Sequence, residues 1–142
     1  MIGTGPQGAE LAARKTPGVE WLGSVTEAER NARLRGATVF CAPSLGGESF
    51  GIVLLEAMAA GTAIVASAIE GYEDVARADR EAILVPPGDP GALRDALAGL
   101  LDDAGRRAEL VAAGRKRAEE FSMRALARRY VECYEQARAV RA

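Results

Sequence analysis

The sequence predicts an α/β fold, a parallel sheet covered by helices on both faces. Three observations predict it. Short apolar runs of strand length alternate with segments of helix length. The runs ATVFCA, AIVA and AILV lack the polar alternation of a half-exposed strand, as strands buried on both faces do. Glycine, proline and capping residues stand at the junctions between them. The expected architecture is Rossmann-like, with C-terminal helices added to the sandwich.

In chain order, Met1-Ile2 reads as the tail of a strand. The following IGTGPQG matches G-x-G-x-x-G through Gly3, Gly5 and Gly8. A dinucleotide site needs a full strand before that loop and an acid after the next strand. Neither is present: the next strand, Val19 to Leu22, ends in Gly23-Ser24. A nicotinamide enzyme is therefore set aside. Gln7 to Arg14 is a short helix, broken by Pro17-Gly18. Thr26 caps a helix from Glu27 to Leu34, with Glu29 at capping-box spacing. Ala37 to Ala42 is a buried strand ended by Pro43, and Ala63 to Ala66 is the next. A short helix from Tyr72 to Ala76 precedes the last strand, Ala82 to Val85. Asp89 caps a helix that has Pro90 in its first turn and runs to Leu101. Two amphipathic helices close the chain, Ala104 to Glu120 and Met123 to Ala139, the second capped by Ser122.

The stretch Gly46 to Ser67, GGESFGIVLLEAMAAGTAIVAS, organises the rest. It reads as loop, helix, turn and strand, with Gly61 stopping the helix. A helix opening after Gly46-Gly47-Glu48-Ser49 leaves the N–H groups of Phe50, Gly51 and Ile52 without intrahelical partners. Such donors and the helix dipole favour an anion such as a phosphate. Glu48 in the loop and Glu56, about two turns inside the helix, would repel a phosphate. Their natural partners are sugar and ribose hydroxyls. A diphosphate with a sugar on each side would use the whole segment. The structural alternative is a buried helix with Ser49 as N-cap and two solvated glutamates.

Composition narrows the function. A chain of 142 residues suits one domain and is short for two. With 49% hydrophobic and 27% charged residues it is globular. A net charge of −2 gives a nucleic-acid partner no electrostatic support. The late arginines are interspersed with acids and read as a solvated helical face. Histidine is absent, which removes histidine-based triads and metal sites. The two cysteines, Cys41 and Cys133, suggest no disulfide framework, so a cytoplasmic location is expected. No apolar run approaches the length of a membrane span.

The spacing Glu48…Glu56 within VFCAPSLGGESFGIVLLEAMAAGTAIVAS resembles the E-x7-E signature of retaining family 4 glycosyltransferases of GT-B architecture. It is especially similar to the actinobacterial phosphatidylinositol mannosyltransferases, and LVPPGDPGAL is also typical of the family. The resemblance covers the C-terminal, donor-binding domain, less its beginning. It implies a domain over residues 1–121. Residues 122–142 are then a C-terminal helix that crosses to an acceptor domain absent from this chain. It implies a retaining transfer of a hexose, mannose from GDP-mannose, to a lipid or glycan acceptor, with a UDP-sugar as the runner-up donor. The alternative is a non-catalytic nucleotide-sugar-binding or structural fragment that needs a separate acceptor domain. Glu48 is the implied catalytic-region carboxylate, holding sugar hydroxyls. Gly47, Ser49, Phe50, Gly51 and Ile52 would surround the diphosphate, Glu56 would hold the ribose diol, and Val25 and Arg30 would meet the base. Arg30 reads equally as an exposed helix residue, and Gly71 and Tyr72 are weaker candidates near the sugar. No cofactor and no metal are expected. The resemblance leaves room for peripheral association with the inner face of the cell membrane. The basic Arg–Lys pair that neutralises the diphosphate in the family has no match here, so the isolated chain should bind weakly and turn over little.

Overall fold

The computed structural model describes residues 1–139. Its centre is a parallel sheet of three strands, β1 (Val39–Ala42), β2 (Ala63–Ser67) and β3 (Ile83–Val85), in the order β1-β2-β3. Register pairs Val39 with Ala63 and Val65 with Ile83. Helices connect and cover it: α1 (Gly8–Ala13), α2 (Glu27–Gly36), α3 (Ile52–Ala60), α4 (Glu70–Glu73), α5 (Pro90–Asp102), α6 (Ala104–Glu120) and α7 (Met123–Ala139).

Both faces of β2 are buried, as its unbroken apolar pattern requires. Ile64 and Ala66 join Leu54, Ala57 and Met58 of α3 in one core cluster. Ala63 and Val65 point the other way, into a cluster with Leu93, Leu97 and Leu100 of α5. Helix α6 serves both, with Leu110 in the second cluster and Ala118 against the first. It comes close to α3 because Gly114 faces Met58: a Cβ at Gly114 would lie 3.1 Å from Met58 Cγ.

The caps follow the sequence in most places. Thr26 accepts from Glu29 N at 3.2 Å, Asp89 from Ala92 N at 2.9 Å, and Ser122 from Ala125 N at 3.2 Å. The capping box at Thr26 is only half made, since the Glu29 carboxylate turns to Arg33 instead. Pro90 stands in the first turn of α5 as expected.

Three element expectations need correction. Val19 to Leu22 is not a strand. It makes only short parallel pairing with Met1: Leu22 N donates to the Met1 carbonyl at 2.9 Å, and Met1 N to the Glu20 carbonyl. With its sheet neighbourhood limited to that contact, too few ladder bonds form to define a strand. The short helix after β2 lies at Glu70–Glu73 rather than Tyr72 to Ala76, because the turn closes on Ile69, whose carbonyl accepts from Tyr72 N and Glu73 N. Helix α3 starts at Ile52, with Gly51 as its N-cap at φ +80°, and Ser49 is not the cap. Glu56 is therefore about one turn inside the helix, not two.

Helix α7 has no buried residue, and Leu126, Tyr130, Val131 and Tyr134 are exposed. Residues 140–142 of the expected 122–142 unit lie outside the described residues. No helix among the described residues is long and apolar enough to cross a membrane.

One buried charge stands out beneath this fold. Glu81, with its side chain 1% exposed, accepts from Arg77 N at 2.9 Å and from the Arg77 guanidinium. Burial pushes its carboxyl up, but the Arg77 hydrogen bonds and the Arg77 and Arg80 charges outweigh that and hold it below the usual range. A carboxylate depressed in the folded state stabilises fully above its unfolded pKa, about 4.3, and the contribution is lost as pH falls through the folded value. Glu81→Gln should therefore flatten the fall in melting temperature between neutral pH and about pH 3. Thermal melts across that range check it, and an unchanged acid slope would remove Glu81 as a source.

Candidate functional site

In a parallel α/β sheet each helix runs back antiparallel to its strand, so helix first turns gather at the carboxyl ends of the strands. Here that rim collects the loop Pro43–Gly51, the first turns of α2 and α3, and the β2–α4 turn. Glu48 lies in the loop, and Arg30 and Glu56 lie within about the first turn of their helices.

The GGESFG loop is held by backbone packing. Gly71 is buried against it: a Cβ built there would sit 2.4 Å from the Glu48 carbonyl oxygen and 2.9 Å from Phe50 N. Gly51 is constrained twice, by its positive φ and by the Gly71 carbonyl 2.8 Å from any added Cβ. Tyr72 is 2% exposed, and its hydroxyl shares a hydrogen bond with Ser44 Oγ at 3.0 Å. Gly71 and Tyr72, weak candidates from sequence, thus brace the loop.

The anion at the start of α3 is supplied by the chain itself. Glu48 Oε1 accepts from Gly51 N at 3.1 Å and from Phe50 N at 3.4 Å. These amides, expected to lack intrahelical partners, take one from outside the helix: the loop folds so that its own carboxylate satisfies them. Gly47 and Ser49 are exposed on the loop, and Ile52 is 60% exposed at the head of the helix.

Glu56 is paired with Arg30, Nη2 to Oε1 at 2.6 Å, the two side chains 39% and 27% exposed for Arg30 and Glu56. This ion pair joins α2 to α3 and was not foreseen, because its members are 26 positions apart. Arg30 is thus held on Glu56, with its side chain partly open to solvent. Its Nε is buried without a partner among the described residues. Both residues line a cavity of about 590 Å³, with Leu22, Phe40, Pro43, Val53 and Tyr72 also on its walls. Val25 is half-buried in the turn before α2 and is not among the residues lining that cavity.

Glycines and a carboxylate thus gather at the carboxyl rim of a parallel sheet, where open α/β sheets place their ligand crevices. Comparison with known proteins makes the class specific. The family described as glycosyl transferases group 1 matches residues 1–103, and the chain belongs to it. Phosphatidyl-myo-inositol mannosyltransferase of Mycobacterium leprae is 44% identical over 117 residues, which are 82% of this chain and 31% of that protein. The chain therefore spans under a third of the length of that relative. Among solved structures, sucrose-phosphate synthase from Thermosynechococcus elongatus matches with a TM-score of 0.82 at 29% identity, over 98% of this chain and 38% of that one. Anabaena HepE in complex with UDP-glucose matches with a TM-score of 0.80 at 18% identity, over 95% of this chain and 40% of that one. The fold is that of GT-B glycosyltransferases.

Because the atoms crowding Gly71 are backbone, the loop itself must shift to admit a methyl group. Gly71→Ala should destabilise the chain by about 1–3 kcal/mol, the usual cost of overpacking. Thermal unfolding measures it, and a wild-type melting temperature would mean that the loop is not held there.

Proposed function

We propose that this chain is the donor-binding half of a retaining hexosyltransferase that moves mannose from GDP-mannose to a lipid or glycan acceptor. The observation that carries the reading is the pairing of Glu48 and Glu56 on one loop–helix unit at the sheet's carboxyl rim, in a member of this family. GDP and mannose rest on the similarity to the mannosyltransferase of M. leprae. The runner-up donor is a UDP-sugar, UDP-glucose being the ligand named for HepE.

Binding on this reading is an exchange. The donor diphosphate takes the Phe50 and Gly51 amides that Glu48 Oε1 occupies. Glu48, released, accepts from hydroxyls of the transferred sugar. Glu56 accepts from the ribose diol, and Arg30 turns toward the base or stays on Glu56. Phosphate in place of carboxylate keeps an anion at the helix start, so the electrostatics of α3 are preserved through the exchange. No cofactor or metal is assigned a role. The parent enzyme would work in the cytoplasm, associating peripherally with the inner face of the cell membrane.

A second reading has a specific observation behind it. The unburied apolar positions of α7 and the third of a relative's length spanned by this chain favour a module that docks on a separate acceptor domain. In that case the isolated chain binds donor weakly and transfers no sugar, because a single half cannot hold an acceptor near the anomeric carbon.

Calorimetric titration with GDP-mannose and, separately, UDP-glucose tests the donor reading. GDP-mannose should bind in preference, and Glu56→Ala should weaken it about 10- to 100-fold, as loss of a charge-assisted hydrogen bond of about 1.5–3 kcal/mol does. Equal affinity of the wild-type and Glu56→Ala chains would sink the ribose assignment. A preference for UDP-glucose would replace the donor.

A further inference from the structure

The donor reading uses the amide of Phe50 and leaves its ring without a task. That ring reaches the end of α6. There it meets Phe121 edge to face, the centroids 5.7 Å apart and the planes at 71°. Phe121 is the residue at which α6 stops, with φ −98° and ψ 7°, and α7 begins at Met123. The loop from Leu45 to Phe50 is largely exposed and lies outside any helix or strand. Such a segment has low local stability unless a side chain anchors it. Phe50 is that anchor.

Arg117, about one turn back on α6, lies over the Phe121 ring, its guanidinium carbon 4.6 Å from the centroid. The same guanidinium reaches the end of α4. Nε donates to the Val75 carbonyl at 2.9 Å and Nη2 to the Asp74 carbonyl at 3.1 Å, while Nη1 donates to Glu120 Oε2 at 2.8 Å. A planar fork of donors can stack on a ring and hydrogen-bond in its own plane at once, which an ammonium cannot do. Helix α4 is the element whose Gly71 presses on the Glu48 carbonyl and Phe50 N. Arg117 therefore ties together the two braces of the loop, the Gly71 backbone and the Phe121 ring.

We propose that Phe121 and Arg117 are positioning residues for the loop that carries Glu48. They hold the Phe50 ring, and a held ring fixes the backbone of the same residue. Phe50 N and Gly51 N are the donors to Glu48 Oε1, so the clamp sets where those amides point and where the carboxylate rests. A loop kept in one arrangement before a ligand arrives spares the ligand the entropy of ordering it. Without the clamp the sheet and its helices stay folded, and donor affinity falls. The purpose of the clamp rests on the donor reading. Its existence does not, and it can be measured with no donor present.

Amide hydrogen exchange followed by NMR makes that measurement. In Phe121→Ala the Phe50 and Gly51 amides should exchange about tenfold faster, and the buried Val65 amide of β2 should change much less. Phe50→Ala should speed Gly51 by the same factor. The double variant should be no faster than either single one, because both break one contact. Arg117→Lys, which keeps the charge and loses the planar fork, should also free both loop amides. Phe121→Tyr, which keeps the ring, should exchange as the wild type does. Calorimetry adds the donor arm: Phe121→Ala should bind GDP-mannose about tenfold more weakly. Should Phe121→Ala fail to fold, Phe121→Leu takes its place in the cycle. Three results would overturn the proposal: equal acceleration of loop and core amides, factors that multiply in the double variant, or unchanged GDP-mannose affinity in a chain whose loop exchanges faster. A wild-type chain that binds no donor would fail the donor reading instead, and the exchange cycle would still decide the clamp.

Discussion

Everything in this fold hangs on the two-sided burial of β2. Its residues Ala63 to Ser67 are no more than 2% exposed. A strand with no wet face must have a helical layer on each side, and only small residues let those layers come close. Leu54 and Met58 of α3 close one face, Leu93, Leu97 and Leu100 of α5 the other. Gly114 then lets α6 settle on α3. Once the layers are fixed, so is the rim at the strand ends, and the rim is where the chemistry gathers. The core therefore sets the position of Glu48 and Glu56 without containing either.

What the sequence made legible was local. Strand runs, the Asp89 and Ser122 caps, Pro90 and the Gly61 stop depend on residues within a few positions of one another, where steric and capping rules act. The Glu48 and Glu56 spacing was legible too, and it places both on one loop–helix unit. What escaped depended on contacts across the chain. The Arg30–Glu56 pair needs α2 and α3 packed side by side. The Gly71 contact with the Glu48 carbonyl needs the β2–α4 turn folded over the loop. The error at Val19 to Leu22 is of the same kind. Its residues have strand character, but strand formation takes a partner on the sheet, and most of that pairing is lacking here. Ser49 misled for a different reason. A serine before a helix suits a cap, yet Gly51 at φ +80° turns the chain so that Glu48 reaches the amides instead.

The glycines of the loop are explained better by packing than by ligand approach. Gly51 and Gly71 meet backbone to backbone, at distances that exclude any side chain. Gly46 and Gly47 have positive φ and open space where a Cβ would be, so their role is conformational. Two different physical demands thus place glycines in the loop and in the turn packed on it. The first pair holds the loop down and the second lets it turn.

The two carboxylates share a property that bears on how such a site works. Each is already engaged within the chain, Glu48 by amides and Glu56 by a guanidinium. Free carboxylates at the start of a helix and beside a cavity would be solvated and mobile, and ordering them on binding would cost side-chain entropy. Held in advance, they cost little entropy, but a ligand must replace a hydrogen bond for each one it claims. A neutral ligand could not do that at the Phe50 and Gly51 amides, where it would leave the dipole of α3 without its negative partner. An anion could, because it exchanges one charge for another and frees Glu48 to accept hydrogen bonds elsewhere. The same exchange cannot occur at Glu56, where the held partner is a cation and hydroxyl donors are what a carboxylate can gain. The rim thus presents amide donors that an anion can claim at one position and a carboxylate that hydroxyl donors can claim at the other, and the proposed donor reading rests on that complementarity.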